Sequence, residues 1–182
     1  MSTQQAVAGS AEAGSPLTFT AQLPTGWEWF GFGANRGTDG PPSGIAFIVS
    51  LVDNTFQDPC AHVERNPKIG PTVADLATAL AQIPHTTATA PTPATIAGYT
   101  ATSIDVTLPA SLPCAPDAFW MWQDSPGGDW WAQGPNEDFT FSILEVGVQR
   151  VVITAKSHPG TSAAAKAELA QILDSIVFTR GS

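Results

Sequence analysis

Basic residues are scarce in this chain. Seven stand against sixteen acidic ones, a formal net charge of −9 over 182 residues. Arg36, Arg65, Lys68, Arg150, Lys156, Lys166 and Arg180 are scattered and form no cluster. Neutralising phosphates takes a basic stripe, so no nucleic acid is expected as a partner. An anionic membrane surface is disfavoured on the same ground. Long apolar runs are lacking too. The longest, Ile45 to Val52, is interrupted by Ser50 and is strand-sized, well short of the roughly 20 residues of a membrane helix. No direct membrane insertion is expected. The first sixteen residues have neither a basic start nor a greasy stretch, so they are no signal peptide. They read as a flexible tether, with an export signal or membrane anchor upstream, and the closing Gly181-Ser182 reads as a cloning remnant. The sequence has no G-x-S-x-G elbow, P-loop or G-x-G-x-x-G, so serine hydrolysis and nucleotide binding lack a motif. No Asn-x-Ser/Thr acceptor and no internal repeat is present.

What remains is 43% hydrophobic and of a length that suits one domain, placed here at residues 17–180. A chain this long buries about 70% of its unfolded surface, so folding requires neither metal nor cofactor. Two helices are predicted. Thr72 with Asp75 makes a capping-box pattern ahead of Val73, Leu76, Ala77 and Leu80, and Pro84 ends the run. Thr161 or Ser162 caps a second, with Leu169, Ile172, Leu173 and Ile176 as its apolar face. Alternation predicts strands at Leu17–Ala21, Ile104–Leu108 and Phe139–Ile143, and an unbroken buried strand at Ile45 to Val52. Gly147 turns a hairpin into Val148–Ala155, with Val151, Ile153 and Ala155 facing inward. The stretch from Gly33 to Gly44 and the Thr/Ala/Pro tract from His85 to Pro93 read as loops. These elements predict an α+β fold, an antiparallel sheet flanked by helices.

The order FTAQLPTGWEW, IAGYTATSIDVTLP, RVVITAKSHPG and ILDSIVF resembles the PsbP/Mog1-like family. It is most similar to the exported actinobacterial branch with the LpqN-type lipoproteins. The segments at Asp58–Cys60, Gly70–Leu76 and Gln133–Pro135 are similar to those of uncharacterised extracytoplasmic domains. The resemblance spans about residues 17 to 180. It implies an α/β/α sandwich and a binding or scaffolding role, and it carries over no catalytic residue.

Two cysteines without a C-x-x-C, beside Pro59 and Pro113, suggest a loop-to-loop disulfide between Cys60 and Cys114 in an oxidising compartment. Free buried thiols are the other reading. Cys60, His62 and Glu64 followed by Pro113-Cys114 mimic a zinc deaminase pattern, but Asp117 stands where the last cysteine belongs. No metal site is expected. Asp124, Asp129, Glu137 and Asp138 fall in one stretch, where a solvated acidic face outweighs a hydrolase carboxylate pair or a calcium loop.

Tryptophan is the unusual feature. There are six, and four lie within Phe119 to Trp131. Trp27 and Trp29 alternate, as do Trp120 and Trp122, so each pair is expected on one strand face. Trp130 and Trp131 are adjacent and must point apart. One of them is therefore expected to line a groove rather than the core. The predicted ligand-binding residues are Trp120, Trp122, Trp130, Trp131, Gln133 and Glu137, with Gln123, Asp124 and Asn136 on the polar rim. The expected function is a non-catalytic extracytoplasmic binding or sensor domain with a protein, small-molecule or glycan ligand. A carbohydrate-recognition module is the alternative, ahead of an acid–base hydrolase.

Overall fold

The computed structural model describes residues 4–11, 17–114, 119–125 and 128–180. Its first strands are β1 (Gln4–Ser10), β2 (Leu17–Pro24), β3 (Trp27–Trp29), β4 (Gly33–Arg36), β5 (Ile45–Ser50), β6 (Val52–Asp58) and β7 (Val63–Glu64). Helix α1 (Val73–Leu80) precedes β8 (Thr87–Ala88), β9 (Thr92–Ile96), β10 (Tyr99–Thr107), β11 (Trp120–Asp124) and β12 (Gly128–Trp131). The chain ends with β13 (Asp138–Val146), β14 (Gln149–Ser157), α2 (Ala163–Asp174) and β15 (Val177–Arg180).

The strands form three antiparallel sheets, ordered β3-β4-β5-β14-β13-β10-β8 with β9 on β10, then β1-β2-β15, then β12-β11-β6-β7. This corrects the α+β expectation. The molecule is mostly β and sandwich-like, with helices of only 8 and 12 residues. Such short helices cover only part of a sheet face, and two smaller sheets cover the rest.

The central sheet is therefore apolar on both faces. Val49, Leu144, Val151 and Ile153 join one core with Phe19 of β2 and Leu169 and Ile172 of α2. Ile48, Phe139, Phe141, Ile143 and Val152 join the other with Leu76 and Leu80 of α1 and with Trp122. The β13–β14 register sets Phe141 opposite Thr154 and Ile143 opposite Val152. The predicted one-faced hairpin is thus a two-faced one, its turn made at Gly147 with φ 69°.

Other departures have local causes. Gln4–Ser10, expected in the tether, pairs with β2 along its whole length; residues 1–3, 12–16 and 181–182 lie outside the described residues. The predicted strand from Ile45 to Val52 breaks at Leu51, where the chain leaves the central sheet for the small one. Arg150 holds that corner, donating to the carbonyls of Val52, Gly70 and Thr72. Gly33, expected in a loop, opens β4, because a side chain there would strike the Phe47 carbonyl oxygen. The Thr/Ala/Pro tract supplies the edge strand β8 and the start of β9.

The helix signals are where expected. Thr72 and Asp75 exchange both capping-box hydrogen bonds, and Ser162 caps α2. Thr72→Ala should lower stability by about 1 kcal/mol, seen as a reduced urea midpoint at constant slope. An unchanged midpoint would show the cap to be idle.

Candidate functional site

The small sheet carries the candidate site on its outer face. Its shape begins with the Cys60–Cys114 disulfide, which spans 54 residues and has a Cα–Cα distance of 5.4 Å. The bond joins the segment after β6 to the segment before β11. Close by, the Trp120 amide donates to the Pro59 carbonyl at 3.0 Å, so the CAHVE segment lies against the tryptophan-rich one. Both sulfurs are consumed, which removes the thiolates a zinc deaminase arrangement needs. Among the described residues no group of three His, Cys, Asp or Glu is placed to hold a metal; Asp117 lies outside them.

A bulge in β11 then sorts the rings. Trp120 faces Trp131 and Trp122 faces Trp130, with the register shifting between them. One extra residue on β11 breaks the simple alternation, so Trp120 and Trp122 do not share a face as expected. Trp122 is 1% exposed in the core and stacks on Trp130, centroids 5.6 Å apart and planes 15° from parallel. The Asp124 carboxylate accepts from both indole N–H groups, which fixes the pair. Trp131 points the other way. It is 41% exposed and meets Trp120 edge-on, at 5.5 Å and 70°. Adjacent residues on a strand do point apart here, as the alternation requires.

Beside Trp120 and Trp131 lies a hydrogen-bonded row. The His62 ring clusters with Phe56, 4.9 Å away, and Trp120, 4.4 Å away, which are 6.2 Å apart. Its Nε2 is 2.8 Å from Asp129 Oδ2, and its backbone has φ 56°. That left-handed conformation is uncommon for a residue with a side chain, and His85, Ala97 and Asn136 share it. Gln123 Nε2 donates to Asp129 Oδ1 and to Glu64 Oε1, each at 3.1 Å. The result is an indole shelf rimmed by His62, Asp129, Gln123 and Glu64.

Besides Trp122 and Trp130 on the inner face, two more predicted site residues, Gln133 and Glu137, lie away from the shelf. Glu137 is fully buried and is not on the rim; its Oε2 accepts from the Gln133 amide at 2.7 Å. So Gln133 acts there through its backbone. Lys156 Nζ lies 3.4 Å from Glu137 Oε1 and 3.1 Å from Asp39 Oδ2, and His158 Nε2 lies 3.8 Å from Glu137 Oε1. Burial pushes the Glu137 carboxyl up to about 7 against the pull of Lys156, and burial pushes the His158 imidazole down. The four carboxylates of the acidic stretch are thus divided: Asp124 holds indoles, Asp129 holds His62, Glu137 is buried, and Asp138 accepts from Thr107. They form no single acidic face.

A concavity of about 350 Å³ lies between α2 and the polar end of the central sheet, lined by Asp105, Thr107, Asp138, Thr140, Ser157 and Lys166 among others. Its carboxylates are engaged by neighbouring threonines, Asp105 by Thr140 and Asp138 by Thr107.

His62, Glu64 and Asp129 were missed as rim residues. The available signal was the disulfide itself, since pairing Cys60 with Cys114 carries His62 and Glu64 to the tryptophan segment.

No family model matches the sequence, and no curated protein matches it either. Nothing in these comparisons identifies a PsbP/Mog1-like family.

Proposed function

We propose that this chain is a non-catalytic binding domain working outside the reducing cytoplasm, with the outer face of the small sheet as its recognition surface. The carrying observation is the 41% exposure of Trp131 beside a polar row whose members are already oriented by one another. Exposed indoles with a fixed polar rim are the usual makings of an affinity-determining patch. The Cys60–Cys114 bond supports the compartment, because such bonds persist where thiols are not kept reduced. No helix among the described residues is long and apolar enough to cross a membrane.

A glycan platform built from two coplanar indoles has weaker support. The one parallel pair, Trp122 with Trp130, is committed to the core and to Asp124, and the outer pair is crossed at 70°.

Replacing the adjacent tryptophans separates structure from recognition. Trp130→Ala should cost about 3 kcal/mol, since it empties the stack on Trp122. Trp131→Ala should leave stability within about 1 kcal/mol and weaken capture of the partner about tenfold or more. Equal and severe destabilisation by both substitutions would remove Trp131 from the recognition surface.

A further inference from the structure

We infer that the Trp120–Trp131 shelf takes an extended peptide segment bearing lysine or arginine, an inference that rests on the recognition surface proposed above. The first argument is charge. Among the described residues neither Glu64 nor Asp129 has a lysine or arginine within ion-pair distance. Lys68, which feels Glu64 at longer range, is held by Asp53 at 3.0 Å. Arg65 is turned to Thr55 and Gln82. The whole chain carries −9, so a basic segment is drawn to the protein, and Glu64 and Asp129 offer it carboxylates that no lysine or arginine among the described residues occupies.

The second argument is hydrogen-bond capacity. The Gln123 amide nitrogen is spent on both carboxylates, and His62 Nε2 faces Asp129. What stays open is mainly acceptor capacity: remaining lone pairs of Glu64 and Asp129 and the Gln123 carbonyl. A sugar hydroxyl carries one donor and two acceptor lone pairs and asks the protein for both donors and acceptors. Ammonium and guanidinium groups only donate, and they are also attracted to indole faces such as that of Trp131.

The third argument is the edge. β12 ends its sheet, and no described strand pairs with its outer side. An open edge accepts an extended peptide through main-chain hydrogen bonds, and alternate side chains of that peptide then fall on one face of the sheet. Here that face carries Trp131.

The test uses a synthetic nonapeptide of alternating arginine and serine, titrated into the protein and followed by tryptophan fluorescence and calorimetry. Controls are an alternating glutamate–serine peptide, cellohexaose, and the variant Asp174→Asn, which removes one charge from exposed α2. Binding of the arginine peptide should weaken about tenfold in Trp131→Ala, the loss of one partly desolvated cation–indole contact. It should weaken several-fold in Glu64→Gln, fall with added salt, and be unchanged in Asp174→Asn. Equal losses in Glu64→Gln and Asp174→Asn, with Trp131→Ala silent, would reduce the effect to general attraction and overturn the inference. Trp131-dependent binding of cellohexaose without the arginine peptide would overturn it while leaving the recognition surface intact. If no probe responds to Trp131→Ala, both readings fall.

Discussion

Removing the Cys60–Cys114 bond should cost about 4 kcal/mol, a large share of the stability of a domain this size. The bond closes a 54-residue separation, and the chain-entropy account assigns the effect mainly to the unfolded state, which regains the freedom the loop had lost. Inside the closed loop lie β7, α1, β8, β9 and β10, so the bond tethers two sheets and a helix rather than one loop. The variant Cys60→Ala/Cys114→Ala avoids leaving a reactive thiol and is compared with the parent in urea. A loss near the expected value is a fall in midpoint, with the slope steepening if the unfolded chain expands. The shelf adds a second readout. His62 and Glu64 follow Cys60 directly, so the variant should loosen the contact of His62 with Asp129 and lower the affinity of the shelf even where the protein remains folded. A midpoint within experimental scatter of the parent would show that the β6–β11 pairing and the Trp120–Pro59 hydrogen bond fix this geometry unaided.

What the sequence reveals divides along a physical line. Elements with a strong local signal are legible. The capping box at Thr72 and Asp75 is a short-range exchange of two hydrogen bonds, and it is present as read. The alternation of Leu17, Phe19 and Ala21 marks a strand with one buried face, and β2 is buried at every second residue. Once a bond is granted, its partners also follow from the sequence, because two cysteines allow only one intramolecular bond; the structure decides against free thiols.

Elements whose signal depends on partners are not legible. β6, with the sequence Val-Asp-Asn-Thr-Phe-Gln-Asp, looks polar. Its Asn54 is nevertheless buried; the amide nitrogen donates to the Arg65 carbonyl, a bond that exists only once the chain has folded back, while its Oδ1 finds no partner among the described residues. β1 lacks a hydrophobic pattern strong enough to announce a strand, yet all seven of its residues pair with β2. Missing these strands turned a sandwich-like molecule into an expected helix-flanked sheet. The bulge at Met121 was equally invisible, and it decides which tryptophan reaches the surface. Glu137 was misplaced for a related reason. A glutamate beside Asn136 and Asp138 reads as rim, and only the approach of Lys156 and the Gln133 backbone amide makes its burial tolerable, against the repulsion of Asp39.

That buried cluster gives the other large effect. Lys156→Met should cost about 1–2 kcal/mol more at pH 8 than at pH 5, because without Lys156 the Glu137 carboxyl must take up a proton at pH 8 or stay ionised in the interior. The difference follows from Glu137 itself. Its carboxyl is raised from 4.5 to about 7 by burial, so the folded state holds a proton there that the unfolded state has released. Between those two values the folded protein binds more protons, and stability falls as pH rises. The shift amounts to about 3 kcal/mol across the window, fully present below about 4.5 and lost as pH climbs through about 7. His158 works in the opposite sense. Its imidazole is pushed below 6.5 by burial, so its contribution is present above 6.5 and is lost as pH falls. Glu137→Gln keeps an acceptor for the Gln133 amide but cannot ionise. It should abolish the fall in melting temperature between pH 5 and pH 8 and leave the His158 limb visible. The double variant Glu137→Gln/Lys156→Met should then be more stable at pH 8 than Lys156→Met alone, since the stranded charge is gone even though Asp39 has lost its partner. A Lys156→Met cost that is the same at pH 5 and pH 8, or a Glu137→Gln protein with the parent's pH slope, would show that Glu137 does not carry this titration.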